Sequence, residues 1–155
     1  MDLFSSQLNE ILVETFNHIL QYEEDLIKHS ENIDLSIGEM HLLETVGKNN
    51  NNGKTISDLA QAQNVTLPSM TIAINKLVRK DYVVKEKSPH DGRVVLVRLT
   101  KKGIRIERIH QYFHRRMVDE VAKEMSAHEK EVLIHGMEKL NAFFNKKLSK
   151  IHNQE

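Results

Sequence analysis

The sequence predicts a mainly α chain of the α+β class: a winged helix-turn-helix with long N- and C-terminal dimerisation helices. Three observations predict it. Two short helical segments meet at a tight turn over residues 55–80. Two β-branched runs separated by a turn cluster follow over residues 82–99. A long amphipathic stretch stands at each end of the chain. That order of elements places one helix in the major groove of DNA.

In the first stretch, Leu8, Ile11, Leu12, Phe16, Ile19, Leu20, Leu26 and Ile27 form one apolar stripe on a helix over residues 5–29. Ser36-Ile37-Gly38-Glu39 is a capping box that opens a second helix, with Met40, Leu43 and Val46 facing inward. The run from Lys48 through Asn49, Asn50, Asn51 and Asn52 to Gly53 is polar and predicts an exposed loop. Thr55 and Asp58 form another capping box, starting a third helix with Leu59 and Ala60 toward the core. Asn64-Val65 makes the turn, and Thr66 caps the fourth helix, where Pro68 costs little in the first turn. Met70, Ile74 and Leu77 fall on its buried stripe, which leaves Ser69, Ile72, Ala73 and Lys76 outward.

Tyr82–Lys87 and Val94–Leu99 predict two strands joined by the turn cluster Ser88-Pro89-His90-Asp91-Gly92. Thr100 caps a fifth helix reaching about residue 125, and the box Ser126 to Glu129 opens a sixth. On that last helix Leu133, Met137, Leu140, Phe144, Leu148 and Ile151 step at near-heptad spacing, which suits helix association. The chain thus predicts one unit over 1–155, with a winged-helix region at 36–100 and dimerisation helices at 1–30 and 101–152. The terminal helices carry more apolar surface than a small winged core covers, so a homodimer is expected.

A chain of 155 residues without cysteine excludes disulfides, thiolate metal sites and thiol redox chemistry. No basic-then-apolar leader follows Met1-Asp2, and no apolar run approaches the roughly 18 residues of a membrane span. The expectation is a cytoplasmic protein with no membrane partner. Formal net charge is zero, but its distribution is not even. Residues 1–50 hold 2 Lys/Arg against 10 Asp/Glu, whereas residues 51–116 hold 14 against 5. Positive charge is concentrated where the reading unit lies, and such a local field steers a polyanion whatever the chain total. Double-stranded DNA is the predicted partner.

Thr66, Ser69, Ile72 and Lys76 recur at spacings of three and four, one face of a helix in a groove. Ile72 has two readings: a contact for thymine methyl groups, or packing against the neighbouring helix. Arg93 at the wing tip is placed to reach the minor groove, whose negative potential favours a guanidinium. Asp91 orients Arg93 or ties off the turn, and Lys54, Lys85 and Lys87 are candidates for phosphate contacts.

The span Ile56–Gly103 resembles the MarR family of bacterial transcriptional regulators. The resemblance rests on Leu59-Ala60, Thr66, Ser69-Met70-Thr71, Leu77, Asp91-Gly92-Arg93 and Leu99-Thr100-Lys101-Lys102-Gly103. It implies a homodimer on a palindromic operator, usually as a repressor, with affinity modulated by a small effector, and it adds Thr71 to the DNA-contacting set. Asp81 stands where the family usually has glycine, Lys85 replaces a common arginine, and Gly92 replaces an arginine often found beside Arg93. Glu39-Met40-His41, Val65-Thr66-Leu67 and His110 with Phe113-His114 look most like the regulators of fatty-acid-synthesis genes. That likeness implies an acyl-chain or acyl carrier protein co-regulator, with an effector pocket near Phe16, Leu20, Leu42, Phe113 and Met117.

His110 and His114 lie four apart on the fifth helix, so both rings can face one point. With Glu24 and His41 they are candidates for a nitrogen and oxygen zinc site, and the alternative is polar packing or a pocket lining. Zinc-responsive members of the family use comparable ligands, so a divalent-metal-responsive regulator is the alternative function. Neither a nucleophile elbow, a phosphate-binding glycine loop nor a His-Glu-x-x-His run is present, so a metal-dependent enzyme ranks low. A winged helix used only for protein contact ranks low as well, because Lys76, Arg79 and Lys80 make the reading helix basic.

Overall fold

A computed structural model describes residues 2–29, 33–48 and 50–152. Met1, Asn49 of the polar loop and the side chain of Ile151 lie outside the described residues. In chain order the elements are α1 (Leu3–His29), α2 (Ile37–Gly47), α3 (Ile56–Gln63), α4 (Leu67–Arg79), β1 (Val83–Lys87), β2 (Val95–Leu99), α5 (Lys101–Lys123) and α6 (Ala127–His152). No helix among the described residues is long and apolar enough to cross a membrane. The chain divides into two units, residues 1–110 and 111–155.

Each expected cap of the first unit is present because the local sequence supplies it. Ser36 accepts from the Glu39 N–H while Glu39 accepts from the Ser36 N–H, and Thr55 with Asp58 repeats the arrangement at α3. Thr66 accepts from Ser69 N–H at α4, with proline in the first turn. Asn64 ends α3 in the left-handed region at φ 52°, and Asp81 leaves α4 at φ 61°. The wing is an antiparallel pair in the register Val83 to Leu99 through Lys87 to Val95.

The core of this unit joins the buried faces of α2, α3 and α4 to the base of the wing. Leu43, Val46, Leu59, Ile74, Leu77, Tyr82 and Val97 are fully enclosed. Ala73, expected outward, packs partly buried against this core. The strand-to-α5 corner explains the Leu-Thr-x-x-Gly run. Thr100 donates its hydroxyl to Asp81 O at 2.7 Å, accepts from Gly103 N–H at 3.1 Å, and gives its own N–H to Tyr82 O. A Cβ at Gly103 would collide with the Tyr82 carbonyl, so only glycine fits.

The polar loop is more than an exposed connection. Asn51, at φ 57°, turns its amide onto β2, donating to Leu99 O at 3.0 Å and accepting from Leu99 N–H at 2.7 Å. In the second unit, Ser126 and Glu129 form the expected cap of α6. Leu133, Met137, Phe144 and Leu148 stand exposed along that helix.

Candidate nucleic-acid interface

The exposed side of α4 begins at its cap. Thr66 and Ser69 are exposed, with their hydroxyl oxygens 2.9 Å apart in a shared hydrogen bond. Ile72 follows one turn on and is 69% exposed. At that exposure Ile72 does not pack against a neighbouring helix in this unit. Thr71 differs, since its hydroxyl donates back to Leu67 O at 2.8 Å and its side chain is partly buried. Asn75, which the sequence reading did not single out, accepts from the Lys85 ammonium at 2.6 Å and so ties the wing to α4.

At the wing tip the Asp91 carboxylate accepts from Arg93 N–H at 2.9 Å, and Asp91 O accepts from Val94 N–H at 3.0 Å. Asp91 therefore ties off the turn. The Arg93 guanidinium and the Lys87 ammonium are exposed and have no partner among the described residues. Lys54 is placed otherwise. Its backbone pairs with Val97, and its ammonium donates to Thr45 O at 2.8 Å, in the last turn of α2. There it satisfies a carbonyl with no partner in its own helix.

Behind α4 lies a charged cluster on the first turn of α2. Glu39 is 8% exposed. Its Oε2 accepts from Ser36 N–H at 2.8 Å and from the Lys80 ammonium at 3.1 Å, and its Oε1 lies 3.0 Å from the Lys76 ammonium. Burial alone would raise the Glu39 pKa, but the Ser36 N–H and the two lysines outweigh it and hold the carboxyl below its ordinary value. Burial likewise opposes the charge of Lys80, and Glu39 with Asp34 outweighs it, so its pKa is raised.

A second cluster forms on the other side of α2. Glu23 Oε2 lies 3.5 Å from His41 Nε2, Glu23 Oε1 lies 3.6 Å from His110 Nε2, and Glu44 Oε1 lies 3.4 Å from His110 Nδ1. Ligand atoms of Glu23, His41 and His110 all fall within 4.8 Å of one another, a spread that fits one small cation. The carboxylate is Glu23, not the predicted Glu24, which is exposed and pairs with Lys28 at 3.4 Å. The sequence held a signal for this. Glu23 interrupts the apolar stripe of Phe16, Ile19, Leu20 and Ile27, so it shares their face. His114 lies one turn beyond His110 on α5, in the second unit. Of the predicted pocket residues, Leu42 belongs to the core, Phe16 is exposed, Leu20 and Met117 are partly buried, and Phe113 is buried.

The model for the transcriptional regulator family SarA/Rot matches residues 25–108, from the end of α1 through the reading helix and the wing. The chain belongs to the MarR/SarA type of transcriptional regulators. The structure of Streptococcus pneumoniae FabT in complex with DNA is 37% identical in sequence to this regulator. It covers 92% of this chain and 98% of that one, with a TM-score of 0.86. Two others share the fold at lower identity. A MarR family protein from Bacillus stearothermophilus is 19% identical over 94% of this chain and 99% of that one, with a TM-score of 0.71. MepR, a regulator of the Staphylococcus aureus multidrug efflux pump MepA, is 20% identical over 92% and 99%, with a TM-score of 0.68. No curated protein sequence matches the chain. This MarR/SarA-type protein is a DNA-binding transcriptional regulator.

Proposed function

We infer that this regulator acts in the cytoplasm as a homodimer that represses transcription from a palindromic operator. The observation that carries the reading is the exposed Ser69 and Ile72 face of α4 together with an exposed wing-tip Arg93 whose guanidinium has no partner among the described residues. Thr66, Ser69 and Ile72 contact base edges and phosphates in the major groove, and Arg93 enters the minor groove with Lys87 nearby on phosphate. Homodimerisation is supported by unusual apolar exposure. Phe4, Ile11 and Phe16 on α1 and Ile134, Met137 and Phe143 on α6 are all at least half exposed. A twofold pair sets its reading helices about 34–36 Å apart, one turn of DNA.

Sequencing the duplexes that the purified protein retains from a random pool tests this reading. The expected product is a palindrome with thymines opposite Ile72, bound by a dimer in sedimentation analysis. Arg93→Ala should weaken binding across many sequences and flatten the salt dependence of log K by about one. A monomer that retains no duplex sinks the proposal. Likeness to the fatty-acid-synthesis regulators supports an acyl chain or acyl carrier protein as effector.

The Glu23, His41 and His110 geometry favours a second reading, a divalent-metal-responsive regulator. Zinc held there would tie α1 and α2 to the start of α5. Elemental analysis and zinc titration of the wild type against His110→Ala test it. Absence of stoichiometric metal, with no change in DNA affinity on adding zinc, removes it.

A further inference from the structure

Lys76 stands on the outward side of α4 one turn after Ile72, where a free ammonium would meet any approaching phosphate. It is not free. Its Nζ lies 3.0 Å from Glu39 Oε1 while its side chain remains 51% exposed. Glu39 is itself buried and gives its other oxygen to Ser36 N–H and Lys80. Lys80 is held again by Asp34 O at 2.7 Å, so its charge is committed to the fold. Arg93 and Lys87 have no such restraint among the described residues.

We propose that Glu39 is a specificity-determining residue that withholds Lys76 from DNA until the reading helix is fully seated. The inference rests on the groove-reading role of α4 given above. Moving Lys76 onto a phosphate leaves Glu39 Oε1, in a largely dehydrated position, without its second cation. That cost is the same on every duplex. It is repaid only where α4 enters deeply enough to bring a phosphate to Lys76, which requires matched base edges. On unmatched DNA, Lys76 stays with Glu39 and attraction comes from the unrestrained cations. One buried carboxylate thus removes one phosphate contact from unmatched complexes, while the matched complex keeps that contact at the cost of the Glu39 pair.

Salt titrations of wild type, Glu39→Gln and Lys76→Gln on two duplexes test the proposal. The matched duplex is the one the wild type selects from a random pool, and the unmatched one is its scrambled sequence. Glutamine at position 39 keeps an acceptor for Ser36 N–H but loses the charge that holds Lys76. Glu39→Gln should steepen log K against log salt by about 0.9 on the unmatched duplex only, the yield of one added phosphate contact. Lys76→Gln should flatten the slope by about 0.9 on the matched duplex only. An unchanged unmatched slope in Glu39→Gln overturns the proposal. So does a Lys76→Gln variant that alters both slopes alike or neither, and this variant decides alone if Glu39→Gln does not fold. Wild type that binds neither duplex in a salt-dependent way refutes the groove-reading role itself. Wild type that binds both, with variants that follow it, refutes only the part assigned to Glu39.

Discussion

Helix α2 separates two buried charge clusters that differ in how they are balanced. Around Glu39, a carboxylate meets two ammonium groups and a backbone N–H, so every partner is a permanent donor near neutrality. Around Glu23, two carboxylates face two imidazoles, and those contacts are ion pairs only while the imidazoles are protonated. The first cluster is complete within the chain. A permanent tie suits the side of α2 that faces α4, because it needs no further partner to hold the two helices together.

The contrast can be broken by experiment. Glu39→Ala should have the largest effect, about 3 kcal/mol of stability by chemical denaturation, since it strips the carboxylate from Lys80 and the reciprocal half of the α2 capping box. A loss below about 1 kcal/mol would make the cluster an ordinary surface pair. Zinc comes next. At a hundredfold excess over its dissociation constant it should add about 2.7 kcal/mol to the wild type and nothing to His110→Ala, read as a shift in melting temperature. Equal shifts in both proteins would place the metal elsewhere.

Acid sharpens the comparison from the side of Glu39. Its pKa in the fold lies below the ordinary 4.5, so its contribution is complete above 4.5 and is lost as pH falls through the lowered value. Wild type should therefore lose stability more steeply than Glu39→Gln below about pH 4.5. Lys80 has the opposite sign: its pKa is raised above 10.5, so its contribution is full below 10.5 and fades as pH climbs through the raised value. The smallest effect belongs to Glu24→Gln. Its pairing with Lys28 is exposed and one helical turn long, so a change of about 0.3–0.5 kcal/mol is expected, with zinc binding intact.

Much of the reading unit was legible because its signals are local. A capping box needs residues three apart, the turn needs an asparagine that accepts a left-handed backbone, and strands need β-branched runs. Ser36 with Glu39, Thr55 with Asp58, Asn64, Asp81 and the wing all follow from neighbours in sequence. The lysines show where that reasoning stopped. Lys54, Lys76, Lys85 and Lys87 look alike in sequence, yet one ends on a helix carbonyl, one on a buried carboxylate and one on Asn75, while Lys87 has no partner among the described residues.

Sequence alone settled the order of helices and wing, their caps and the greasy stripes, because each depends on residues within a turn or two. Tertiary packing alone settled which charges meet. Glu39 and Lys76 are far apart along the chain, and only the docking of α4 against α2 brings them to 3.0 Å. The same holds for Glu23 in place of Glu24. One step along a helix rotates a side chain by about 100°, and only the packed neighbours fix which of the two acids turns inward.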